Sequence, residues 1–213
     1  MIEGYVVKAN AMRTVFCLLL LTASARAADE FTWWIDPCTP VAAKSTGCEA
    51  GDEELGRWAL EAWQRETSNA IVFKKSIGEE HARIRIHWAS GQGSLYGETR
   101  RTVIDGKPGA DIYVLPDIRA LGTDIAATGR ADPLFRTAIV YLTCLHESGH
   151  ALGLQHTRNF ADIMYSFGYG GDVVEYFQRY RRLLKTREDI PAHSGVSESD
   201  HSAIARPVNR PSR

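Results

Sequence analysis

The sequence lacks an excess of charge of either sign. Its 25 lysine and arginine residues are balanced by 26 aspartate and glutamate residues, which gives a formal net charge of −1 at pH 7. Nucleic-acid-binding domains are typically basic along one face, so this balance argues against a nucleic-acid partner. The one concentration of charge is a basic run that comprises Arg179, Arg181, Arg182, Lys185 and Arg187. We interpret it as the solvated face of a helix in preference to a binding patch.

The sequence also lacks an apolar run long enough to cross a bilayer. The run at 15–21 is far shorter than the roughly 20 residues of a spanning helix. It follows Lys8 and Arg13 and precedes Ala25-Arg26-Ala27, a small-x-small pattern of signal-peptide cleavage. We therefore predict a cleaved signal peptide, export to the periplasm or the medium, and no stable membrane insertion afterwards.

The chain has no internal repeat, and its length suits a single domain. We predict a signal peptide at 1–27, a folded domain at 28–205 and a disordered tail at 206–213. Residues 1–11 are an upstream extension if translation begins at Met12. The predicted mature protein is a monomer.

Cysteine is scarce, with four residues in the chain. Cys17 lies in the predicted signal peptide. Cys38 and Cys48 bracket a short polar loop and are candidates for a disulfide in an oxidising compartment. Cys144 lies two residues before a histidine; we favour a buried thiol over a metal ligand, because a helix turns it to another face.

The most informative stretch is residues 146–156, which read HESGHALGLQH. On a helix, His146 and His150 lie one above the other and can share one metal ion. Gly153 allows the chain to leave the helix through a conformation that other residues resist, and His156 can then return as a third ligand. Three imidazoles leave one position of a tetrahedral zinc open for water, as a catalytic site requires.

Glu147 follows the first ligand directly and is placed to take a proton from that water. A bare HExxH motif is weak evidence, because it fixes only three residues. The added glycine and third histidine make a chance match rare. The motif alone still leaves open a site that binds zinc without turnover.

These residues resemble the metzincin zinc metalloendopeptidases, whose motif is HExxHxxGxxH followed by a turn that contains methionine. Met164 and Tyr165, which follow eight and nine residues after His156, are similar to this Met-turn in matrixins, the branch that includes the matrix metalloproteinases. The resemblance implies that Met164 forms an apolar floor under the ligands. Ser166 replaces the proline that usually follows in matrixins.

The resemblance also implies an α+β metzincin-like domain with a small, twisted, mostly parallel sheet, an antiparallel edge strand, an active-site helix and C-terminal helices. An extended peptide substrate would pair with the edge strand, for which residues 94–100 are the candidate. Relatives hold calcium in loops, so Asp105 and Asp111 are weak calcium candidates. We see no second, structural zinc cluster and no pro-segment, so we expect no proteolytic activation.

Apolar periodicity supports this class. The predicted strands are 31–35, 71–73, 82–87, 95–104 and 110–115, and the third carries a lone histidine, His87, on its polar face. The predicted helices are 52–68, 133–153, 173–184 and 197–204. Asp132 and Pro133 are typical of the start of the second, and Ser197 with Asp200 resembles a capping box at the start of the fourth. For His87, we favour a solvated side chain over a metal-linked one.

The sequence thus predicts an exported zinc endopeptidase that hydrolyses peptide bonds when Glu147 activates a water on one catalytic zinc ion. Two alternatives remain open at this point. One is a zinc-containing module that binds peptides without cleaving them, and the other is a zinc amidase that acts on cell-wall peptides.

Overall fold

The computed structural model describes Met1 and residues 28–91 and 96–205; the rest of the predicted signal peptide and the predicted tail lie outside this part. The strands are β1 (Asp29–Ile35), β2 (Ile71–Lys75), β3 (Ile84–Trp88), β4 (Gly97–Ile104) and β5 (Lys107–Val114). The α-helices are α1 (Pro40–Thr46), α2 (Asp52–Glu66), α3 (Thr123–Ala131), α4 (Pro133–Ala151), α5 (Val173–Arg181) and α6 (Glu198–Ala205). Short 3-10 helices lie at Glu79–His81, Ile118–Leu121, Phe167–Tyr169 and Arg187–Ala192.

The five strands form one mixed sheet in the order β2-β1-β3-β5-β4. Strands β1, β2, β3 and β5 run parallel, and β4 pairs antiparallel with β5 at the edge. This arrangement confirms the predicted α+β class and the mostly parallel sheet with one antiparallel edge strand.

The connection between β4 and β5 is tighter than predicted. Asp105 and Gly106 alone form the turn, with φ values of +50° and +72°, as in the two-residue hairpins that favour Asp-Gly. Strand β5 begins at Lys107 and includes Pro108, which the sequence had assigned to the loop. Pairing with β3 begins only at Ala110, so Pro108 lies where its missing N–H disturbs no central ladder.

Helices α2 and α4 pack against each other and against the sheet. The predicted apolar face of α2 is buried, including Leu55, Trp58 and Trp63. The Trp63 indole donates a hydrogen bond to the Leu145 carbonyl of α4 at 2.9 Å. Among the described residues, no helix combines the length and apolar character needed to cross a membrane.

The predicted polar loop between the two cysteines contains helix α1, which the sequence did not reveal. Cys38 and Cys48 form the expected disulfide, with Cα atoms 5.9 Å apart. The helix has a local start, because the Thr39 hydroxyl accepts a hydrogen bond from Ala42 N at 3.2 Å. The helix has only seven residues and none of them is buried. It therefore shows little apolar periodicity, and the sequence pattern does not indicate a helix there.

The basic run folds back onto the protein. Arg181 pairs with Asp132 at 2.7 Å, and Arg182 pairs with Glu175 at 2.5 Å. The Arg179 guanidinium donates to the Phe160 carbonyl at 2.6 Å. These contacts bind three of the arginines to groups of the protein itself around α5.

Candidate metal centre and adjoining cavity

Helix α4 carries the first two histidines, and its start is fixed locally. The Asp132 carboxylate accepts a hydrogen bond from Leu134 N at 3.1 Å, and Pro133 occupies the first helical position. Most of the helix body is buried, so His146 and His150 extend from a rigid mount.

The third histidine returns through the predicted turn. Gly153 has a φ of +102°, a conformation that strains residues with a side chain. The His156 Nε2 atom lies 3.1 Å from Nε2 of His150 and 3.3 Å from Nε2 of His146. The ligand atoms of the three rings lie within 4.8 Å of one another, which confirms that they converge.

Backbone carbonyls orient the two helical imidazoles. Nδ1 of His146 donates to the Ile163 carbonyl at 2.6 Å, and Nδ1 of His150 donates to the Leu154 carbonyl at 2.9 Å. A proton on Nδ1 leaves a lone pair on Nε2, as in metal-binding histidines. Burial lowers the pKa of His146 to about 4 and also lowers the pKa of His150. Both shifts favour the neutral imidazole, which is the form that binds a metal ion.

The donor set fits a transition-metal ion. Tetrahedral zinc with Zn–N bonds of ~2.0–2.1 Å places its ligand nitrogens about 3.3 Å apart, close to the separations of 3.1 and 3.3 Å found here. A cation between the three nitrogens would stabilise the lone pairs that His146 and His150 direct toward His156. Three imidazoles suit zinc or a neighbouring transition metal, whereas calcium and magnesium prefer oxygen.

Met164 lies directly beneath α4. Its side chain is 1% exposed, and a Cβ atom added to Gly149 would lie 2.5 Å from its sulfur. Gly149 therefore allows the thioether to pack against the helix backbone between the two histidines. Sequence reasoning did not single out Gly149, although its position inside the motif was a usable signal. The hydroxyl of the next residue, Tyr165, donates to the Gly170 carbonyl at 2.7 Å.

Asp200, at the start of α6, holds the turn that contains Met164. This carboxylate is 1% exposed and accepts hydrogen bonds from Ile163 N at 2.7 Å and Met164 N at 3.3 Å. It also exchanges hydrogen bonds with Ser197 in the predicted capping box. Because the Ile163 carbonyl orients His146, Asp200 supports the metal centre through one peptide unit.

Glu147 lies between α4 and β4. Its side chain is nearly inaccessible, with 6% of the residue exposed. The Thr99 hydroxyl lies 2.6 Å from its Oε2 atom, and a Cβ atom on Gly97 would lie 2.8 Å from Oε1. Burial raises the pKa of Glu147 to about 7, although the Thr99 hydrogen bond opposes the shift. Sequence reasoning missed Thr99 and Gly97; the period-two alternation of β4 was the available signal.

A cavity of about 720 Å³ opens beside the histidines. Its lining includes the three histidines, Glu147, Leu142, Tyr96, Phe167 and Phe177. The ring of Tyr96 lies 5.5 Å from that of Phe167 and 5.3 Å from that of Phe177. The cavity thus joins the polar histidine cluster to an aromatic wall.

Other candidate residues lie elsewhere. Cys144 is a buried free thiol in the core and is outside the histidine group, in line with the favoured interpretation.

The two calcium candidates lie apart from the histidines. Asp111 pairs with Arg85 of β3 at 2.5 Å, whereas Asp105 lies in the hairpin turn. His87 contacts Asp36 at 3.1 Å, so it is not fully solvated, and it lies outside the histidine group. Within the described residues, only the three histidines form a group of three or more His, Cys, Asp or Glu placed to share an ion.

The fold and site together define an α+β protein with three histidines positioned to bind a metal ion. A scan against models of known protein families and a search of curated proteins found no match for this chain.

Proposed function

We propose that the protein is an exported zinc-dependent endopeptidase of the metzincin class, similar to matrixins. The observation that carries the proposal is the convergence of three imidazoles beside a buried carboxylate and an open cavity. A purely structural zinc site takes four protein ligands, and the described residues offer three.

His146, His150 and His156 would hold the zinc ion. When bound, zinc would act as a Lewis acid on a carbonyl and lower the pKa of water toward neutrality. Glu147 would accept the proton from the attacking water and pass it to the leaving amine. A carboxylate with a pKa of about 7 suits both steps, because a general base and acid works best near the ambient pH.

Extended polypeptide is the substrate class that the cavity supports. Strand β4 is the edge of the sheet, and Gly97, Thr99 and Arg101 of this strand line the cavity. An edge strand can pair with an extended peptide through the main chain, which makes little demand on sequence. The aromatic wall around Phe167 favours a large apolar side chain next to the cleaved bond.

The first test compares substrates. Unstructured protein and purified cell wall are digested side by side, with and without a chelator. An endopeptidase cleaves the protein only when the metal is present, a cell-wall amidase cleaves only the wall, and a peptide-binding module cleaves neither. Chelator-resistant proteolysis or no proteolysis would refute the proposal.

The second test replaces the proposed base. Glu147→Gln should retain one zinc ion per chain and lose peptide hydrolysis by at least about 100-fold, in line with general-base contributions of 10²–10⁴. Glu61→Gln is the matched control, because Glu61 lies on α2 and pairs with Arg57. Full activity of Glu147→Gln would rule out its role as the base.

A further inference from the structure

Strand β4 contacts the Glu147 carboxylate from one face. Residues two apart on a strand share a face, and Gly97 and Thr99 both point toward α4. A Cβ atom on Gly97 would lie 2.7 Å from Glu147 Cγ, 2.8 Å from Oε1 and 2.9 Å from Thr143 Cγ2. The carboxylate therefore occupies space that any larger residue at position 97 would fill.

Thr99 makes two contacts with the same glutamate. Its hydroxyl lies 2.6 Å from Glu147 Oε2 and 2.9 Å from the Glu147 carbonyl oxygen. A bond to Oε2 fixes one carboxylate oxygen and leaves Oε1 for the reacting water. The contact is partly buried, where a charge-assisted hydrogen bond is strong.

We propose that Thr99 is a positioning residue that holds Glu147 at the angle needed for proton transfer, and that Gly97 provides the space for this arrangement. The inference rests on the proposed endopeptidase function and extends it to two residues of the edge strand.

The chemistry of a hydroxyl suits this role, because it can donate one hydrogen bond and accept others. When Glu147 is ionised, Thr99 donates to Oε2. When Oε1 carries the proton taken from the water, Oε2 is still an acceptor, and Thr99 continues to donate to it. The carboxylate would thus stay in place through both halves of the proton transfer.

The location of Thr99 links substrate binding to catalysis. The proposed substrate pairs with β4, and β4 also holds the base. One rigid strand would therefore fix the distance between the scissile bond and Glu147. Misplacement of reacting groups by about 1 Å can cost a factor of 100 in rate.

The experiment measures kcat and KM for an unstructured peptide with the zinc-loaded protein. Thr99→Val removes the hydroxyl at nearly constant shape and should lower kcat roughly 10- to 100-fold with KM unchanged, as expected for the loss of a hydrogen bond to a charged group. Thr99→Ser should restore most of kcat. Thr128→Val is the matched control, because the Thr128 hydroxyl of α3 also donates to a carbonyl, that of Asp124 at 2.8 Å, and does not line the cavity.

A second measurement detects the contact without activity. The free energy of unfolding of the zinc-free protein is compared for Thr99→Val, Glu147→Ala and the double variant. If the two side chains interact, the two destabilisations will not add. Thr99→Ala provides another hydroxyl deletion if Thr99→Val does not fold.

The outcomes separate the two proposals. An inactive wild-type protein overturns the endopeptidase function and the inference with it. An active wild type with equal kcat in Thr99→Val, additive destabilisations, or a Thr99→Ser variant as impaired as Thr99→Val overturns the positioning role alone. Loss of zinc from Thr99→Val would likewise assign the residue to metal retention and refute the inference.

Discussion

Replacement of Asp200 should weaken both the fold and the metal centre. Its buried carboxylate accepts hydrogen bonds from Ile163 N and Met164 N. In Asp200→Asn, an amide NH₂ replaces one acceptor oxygen, and at least one of these buried N–H groups loses its partner. Hydrogen bonds to charged groups contribute about 1.5–3 kcal/mol, so we expect a loss of about 2 kcal/mol in the free energy of unfolding.

A loss of this size corresponds to a fall in Tm of roughly 4–8 °C for a domain of this length. Asp200→Ala leaves both N–H groups unsatisfied and should cost about 4 kcal/mol. The effect should also reach zinc, because the Ile163 carbonyl orients His146. Changes around metal ligands typically cost 10–100-fold in affinity, and we expect roughly tenfold here because Asp200 acts through one intervening peptide.

The assay combines urea unfolding in the presence of a chelator with zinc affinity measured by chelator competition. Asp172→Asn is the matched control: Asp172 is an exposed N-cap whose carboxylate accepts a hydrogen bond from Glu175 N at 3.0 Å. Asparagine caps helices about as well as aspartate, so this variant should lose less than about 0.5 kcal/mol. If Asp200→Asn is as stable as Asp172→Asn, the carboxylate does not hold the turn.

Two further predictions concern regions away from the metal centre. Replacement of Cys38 and Cys48 by serine should lower the free energy of unfolding by about 2–3 kcal/mol, because the disulfide closes a short loop; unchanged chemical denaturation would contradict this. The hydrogen bond that His87 donates to the Asp36 carboxylate raises the pKa of His87 despite partial burial. The pair therefore stabilises the fold fully below about pH 6.5 and loses this effect as pH rises through the raised pKa. The stability difference between wild type and His87→Gln should therefore be larger at pH 5 than at pH 9, and urea unfolding that gives equal differences would refute it.

The features that could be predicted from the sequence are local. The Asp132 cap, Pro133 at the first helical turn and the exit at Gly153 depend on backbone rules that act within a few residues. The convergence of His146 and His150 follows from helical periodicity alone. The capping box at the start of α6 was predictable for the same reason, because its hydrogen bonds join Ser197 and Asp200, which are three residues apart.

The features that could not be predicted depend on packing or lack periodicity. Helix α3 buries only Ile125 and Ala126, so its sequence carries almost no apolar stripe. The sequence predicts too late a start for β5, because Pro108 is typical of a loop, whereas the strand begins at Lys107. The strand tolerates Pro108 because β3 does not extend far enough to pair with it. The length of β3 is a property of the whole sheet and cannot be read from the hairpin sequence.

The candidate site shows the same division between ligands and their supports. The three histidines and Glu147 lie within one short segment, but the groups that hold them come from distant parts of the chain. Thr99 of β4 bonds to Glu147, the Ile163 carbonyl bonds to His146, and Asp200 of α6 holds the turn that contains Ile163. These supports are hydrogen bonds whose strength depends on burial. A motif can therefore indicate which metal chemistry is available, whereas the precision of the site depends on three elements that meet only in the folded protein.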